Sequence, residues 1–133
     1  AYSFGGDEVL VSVDLRDGRC ELAARLGKGA PGAVYEWGVI LAFHPGETIG
    51  SEHGNERLDP TVLIHHNGGP RPQRTLHWRG LRWTLPEGAL LDYPIVPHNS
   101  YTQDGLPAKE DYVARLSVPL DVTPKVILIE PAQ

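Results

Sequence analysis

Six histidines and a run of arginines carry most of the chemistry available to this 133-residue chain. His65 and His66 stand side by side, and His98 and Asp104 follow in one polar, proline-bearing segment. Neutral imidazoles are good ligands for zinc, iron, copper or nickel, and two histidines with one carboxylate form a recurrent open-faced site. His66, His98 and Asp104 are therefore the candidate metal ligands. His65 is the alternative to His66, because adjacent strand residues face opposite ways. A divalent transition metal is the cofactor that such a site calls for. The second group is Arg71, Arg74, His77, Arg79 and Arg82, a local basic concentration in a chain of net charge −5. Arginine forks suit carboxylates, phosphates or an acidic partner surface. Tyr101 could stack on a sugar ring.

Two further chemistries have less behind them. Glu47, Glu52, Glu56 and Asp59 share one polar stretch with His44 and His53, so a carboxylate–imidazole pair is geometrically open there. A solvated polar loop is the simpler account. No G-x-S-x-G elbow is present, and Cys20 falls on an apolar strand face, where it reads as a small buried hydrophobe.

Tyr93-Pro94-Ile95-Val96-Pro97-His98 resembles a fragment of the second cupin motif, in which a Pro-Gly-x-Pro-His-type run delivers a metal-binding histidine. Ile95 stands where that motif has glycine, and the first cupin motif, His-x-His followed by glutamate, is absent. The resemblance implies a small metal-dependent barrel enzyme using His66 and His98.

The elements that must position these residues are strands. Arg74–Leu85 places Leu76 and Trp78, then Leu81, Trp83 and Leu85, at alternating positions with a slip at Gly80. A glycine slip inside a strand pattern marks a β-bulge, so one bent strand with all five apolar side chains inward is expected. Thr75, His77, Arg79, Arg82 and Thr84 then face outward. Val9, Val11, Val13 and Leu15 alternate before Asp17-Gly18, a hairpin signal, and Cys20, Leu22, Ala24 and Leu26 return on the same face. Residues 34–43 read as a strand with Tyr35, Trp37, Val39, Leu41 and Phe43 on one face, and 38–43, like the V-I-L-I run of 126–129, is apolar on both faces. Each reads as a strand buried on both sides or covered by a partner subunit. Residues 44–60, 66–74 and 94–110 read as loops.

With antiparallel neighbours the connections alternate between the two ends of the domain. The Asp17 hairpin, the 44–60 loop and the turns at Pro86 and Pro119 are expected at one end. Loops 27–33, 66–74 and 94–110 are expected at the other, gathering His65 or His66, Asn67, Arg71, Arg74, His98, Asn99, Tyr101 and Asp104. Loops at one end of a β scaffold are the usual seat of binding residues.

Length and composition bound the rest. A chain of this size suits one domain. Its 41% hydrophobic and 22% charged residues fit a globular protein, and no apolar run nears the roughly 20 residues of a membrane span. The acidic balance does not support a nucleic-acid footprint. One cysteine excludes an intramolecular disulfide and says nothing about compartment.

The expectation is a single all-β domain over residues 1–133, an antiparallel β-sandwich or flattened barrel of about eight strands. The expected function is non-catalytic binding or assembly. Recognition would fall to loops 66–74 and 94–110 and to the arginine-rich strand, directed at a protein partner or a small acidic or sugar ligand. A homo-oligomer would fit the doubly apolar strands. The alternative is the small metal-dependent, cupin-like enzyme with its His66/His98 site.

Overall fold

A computed structural model describes residues 2–4, 7–29, 34–59, 64–66, 69–96, 100–106 and 112–132. Those residues are all-β and contain no helix, so none is long and apolar enough to cross a membrane. The strands are β1 (Tyr2–Phe4), β2 (Asp7–Arg16), β3 (Arg19–Lys28), β4 (Tyr35–Leu41), β5 (Thr48–Ser51), β6 (Gly54–Arg57) and β7 (His65–His66). They continue as β8 (Gly69–Pro72), β9 (Thr75–Trp78), β10 (Leu81–Thr84), β11 (Leu90–Ile95), β12 (Val113–Leu120) and β13 (Lys125–Pro131). One antiparallel sheet has the order β1-β2-β3-β13-β10-β9-β5-β6, the other β4-β12-β11-β8-β7. The two sheets pack as a β-sandwich.

The thirteen strands among the described residues, against about eight expected, reflect reversals that the alternation hides. The bent strand expected over 74–85 is a hairpin. Arg79 and Gly80 both have positive φ, 53° and 72°, as the two central residues of a type I′ turn require. Leu81 then pairs with Trp78 and Trp83 with Leu76. A bulge and a two-residue turn give the same inward and outward facing, so the pattern could not separate them. Only the cross-strand register does.

The stretch 44–60 is likewise not one loop, because β5 and β6 form a hairpin within it. Between 64 and 72 the chain runs once past β11. Ile64 bridges Tyr93, Arg71 pairs with Leu91 and Pro72 with Leu90. The short β7 pairing, His65 with Pro70 and His66 with Gly69, is pinched out of that run.

The core lies between the inner faces. Leu76 and Ile127 of the larger sheet meet Leu91, Leu116 and Val118 of the smaller one, all fully buried. Phe43 sits edge-on to Trp78, with ring centroids 4.8 Å apart, and 6.0 Å from Tyr93; Trp78 and Trp83 are 6.2 Å apart. These aromatics join both sheets through the 42–47 connection. β13 is the fourth of eight strands, central as its apolar run implies. β4 is different: it is apolar on both faces from Gly38 onward yet lies at a sheet edge, with Ile40 58% exposed.

Candidate functional site

The hairpin reversals disperse the basic group. Arg79, at the hairpin tip, donates from Nε to Glu47 Oε1 (2.6 Å) and from Nη2 to Glu47 Oε2 (3.0 Å) and the Ala42 carbonyl (3.3 Å). Its guanidinium also lies 4.3 Å from the Trp78 ring centroid. The Arg79 hydrogen bond holds the Glu47 carboxyl down at about 2, against the effect of burial and with help from the His44 backbone N–H. Arg79 is thus a clamp on the 42–47 connection.

His77 and Arg82 are direct cross-strand partners on the outer face of the larger sheet. Arg82 donates to Glu130 on the next strand (2.7 Å). Arg74 lies at the opposite end of the hairpin from Arg79, where its backbone N–H and that of Thr75 donate to the Glu52 carboxylate (2.8 and 3.3 Å). His53 Nε2 is 2.9 Å from the Pro72 carbonyl oxygen beside it. Of the acidic stretch, Glu47 and Glu52 therefore serve as structural acceptors.

Tyr101 is 98% exposed in the 100–106 segment. In the same segment, Asp104 accepts the Leu106 N–H (3.0 Å), the bond that holds its carboxyl below the ordinary value. His98 and the side chains of His66 and Arg71 lie outside the described residues. Among the described residues no group of three or more histidine, cysteine, aspartate or glutamate side chains could hold a metal ion.

The grouping of loops by end also changes. Pro72 sits opposite Leu90, at the start of β11, whereas residue 96 leaves from its far end. Five residues of strand separate these levels by about 17 Å. Residues 72–74 and the segment that begins at 96 thus leave the sandwich at opposite ends. β7 and the start of β8 lie between the levels of Tyr93 and Leu91, nearer the end of β11 from which 96 departs. The extra reversal at Arg79-Gly80, which lies between the two loops, accounts for the change.

A surface that the loops did not announce lies on the larger sheet. Val9, Val11, Val13 and Leu15 of β2 pair with Leu26, Ala24, Leu22 and Cys20 of β3 on the inner face. That face continues through Ile127 and Ile129 of β13 to Trp83. At the start of β2 the smaller sheet covers it, where Tyr35 Oη donates to Asp7 (2.9 Å). Toward the Asp17-Gly18 turn the cover ends: Val13 is 63% and Leu15 74% exposed. An open hollow of about 480 Å³ there is lined by Leu15, Cys20, Leu81, Ile129 and the hairpin turn. The alternation of β2 announced an apolar face. That no described residue covers its end is a property of sheet width, which no local pattern carries.

Comparison of the chain with protein-family models, with curated proteins and with solved structures found no match.

Proposed function

We propose that the chain is a non-catalytic binding or assembly module whose working surface is the overhanging inner face of β2 and β3. One observation carries this reading: Val13 and Leu15 belong to the face that forms the core, yet they stand in solvent. An apolar surface continuous with a core and left uncovered is a place for a partner. The rows formed by positions 9, 11, 13 and 15 and by 20, 22, 24 and 26 contain no charged residue. Recognition is assigned here rather than to loops 66–74 and 94–110 because 72–74 and the segment beginning at 96 leave opposite ends of β11. The arginine-rich hairpin contributes stability through Arg79, and its exposed pair His77 and Arg82 faces away from the overhang.

The test is the double substitution Val13→Glu with Leu15→Glu. A surface kept for a partner tolerates both changes in the isolated protein, with unfolding free energy within about 0.5 kcal/mol of wild type. A loss of about 2 kcal/mol or more would show that these positions belong to the chain's own core, and the reading would fall.

A further inference from the structure

We infer that the free edge of β4, together with the overhang beside it, receives an extended strand from another polypeptide. That strand carries apolar side chains at alternate positions and a basic residue opposite Glu36. The inference rests on the overhang being a docking surface, as proposed above, and names what docks.

The four outer strands of the two sheets are unequal. β1 has three residues and β7 two, too short to template a partner; β6 carries Asn55, Glu56 and Arg57, and the part of β2 that β1 leaves unpaired, Leu10–Arg16, carries Asp14 and Arg16. Edge strands are ordinarily blunted in these ways, by shortness, charge, proline or a bulge. β4 has none of the last three apart from Glu36. It is seven residues long, lacks lysine and proline, and pairs with β12 in unbroken register from Tyr35 to Leu41. Among the described residues its other edge has no strand beside it. A row of backbone N–H and C=O groups in regular extended geometry is matched by one kind of ligand, another strand.

The second observation is independent of the first and sits next to it. A strand added to β4 lies about 4.8 Å further out, above the part of the larger sheet that the smaller one fails to cover. Its alternate side chains drop toward Val11, Val13 and Leu15, and the same strand satisfies both the open edge and the open face. Glu36 is the only carboxylate on β4. Cross-strand pairing of opposite charges there favours lysine or arginine in the incoming segment.

A second copy presenting its own β4 does not fit. Two β4 strands paired about a two-fold axis put both larger sheets on the same side, and each overhang would occupy the space of the other. The occupant is therefore a strand without a sheet beneath it, such as an extended arm or peptide.

The experiment joins such a strand to the full chain. A glycine–serine linker after Gln133 carries a nonapeptide in which valine alternates with threonine and lysine. Tethering supplies an effective concentration of order millimolar, so modest affinity is enough to be read. The expected result is a Tm higher by about 3 °C or more than that of the same fusion with proline at the central valine. Backbone amides of β4 should also gain protection from hydrogen exchange. Equal Tm values for the valine and proline fusions would overturn the inference, as would a gain that persists in the Val13→Glu, Leu15→Glu background. A silent valine fusion in the wild-type background, with the double variant folding normally, removes strand addition alone. A double variant that unfolds removes the docking surface itself.

Discussion

Arg79 grips both carboxylate oxygens of Glu47 from 32 residues away, at 2.6 and 3.0 Å, and so ties the link between the two sheets to the tip of the β9–β10 hairpin. Glu47 precedes β5 of the larger sheet, and the same connection leaves β4 of the smaller one. The carboxylate therefore sits where the chain crosses the sandwich. It is only 23% exposed, which lifts the pair above an ordinary surface ion pair.

Glu47→Gln should lower stability by about 1 kcal/mol at neutral pH. The sign of the pH dependence follows from a carboxyl whose folded value, about 2, lies below the ordinary 4.5. Its contribution is complete above about 4.5 and is lost as pH falls toward 2. Urea unfolding of wild type and Glu47→Gln across that window should show the difference closing. A difference that stays constant down to pH 2 would mean the carboxylate charge is not what matters.

Glycines at turn tips and in the edge strand should respond oppositely to alanine. Gly80 and Gly18 have φ of 72° and 73°, the left-handed region that strains any residue with a Cβ, so Gly80→Ala and Gly18→Ala should each cost about 1 kcal/mol. Gly38 has no such φ, and a Cβ built on it meets nothing within 4 Å. Gly38→Ala should therefore be neutral or slightly stabilising. Denaturant midpoints of the three variants decide this, and a destabilised Gly38→Ala would place something against the outer face of β4.

Two apolar residues on the same inner face should differ sharply. Ile127 is 0% exposed at the centre of the larger sheet, and Ile127→Ala should cost about 2–5 kcal/mol. Leu15→Ala should change stability by less than about 0.5 kcal/mol, since that side chain is already mostly in water. Thermal unfolding of both variants reads the contrast directly. Similar losses would show that the overhang is packed in solution.

At the other end of the hairpin, Glu52 orders the entry into β9 by accepting the Arg74 and Thr75 N–H groups. Glu52→Ala should speed hydrogen exchange at those two amides by about tenfold, the equivalent of 1.4 kcal/mol, while leaving the β13 amides unchanged. Uniform acceleration across the sheet would instead indicate global destabilisation.

Much of the scaffold was legible in the chain. The β2–β3 hairpin followed from alternation around Asp17-Gly18, and its turn has the positive φ at both residues that the signal implies. The inward facing of Leu76, Trp78 and Trp83 was also legible. The reversal at Arg79-Gly80 was not, because Arg-Gly lacks the asparagine or aspartate that announces a type I′ turn. The β5–β6 hairpin stayed hidden because Thr48–Arg57 has little apolar alternation to betray it. The missed reversal at Arg79-Gly80 is by itself enough to put the two loops at different ends, so the gathering of 66–74 with 94–110 did not survive for residues 72–74.

Side-chain facing is a period-two property of a strand and its neighbours in sequence, so the chain alone determined an all-β protein with an apolar face on β2 and β3 and apolar residues on both faces of β13 and of β4 from Gly38. Which of those faces is covered depends on how many strands each sheet recruits and from where. That is a matter of pairing between distant segments, such as β13 with β3 and β12 with β4. Only the tertiary structure decided that Ile127 would be core and Leu15 would not, because burial is conferred by what lies opposite and not by the residue that is buried.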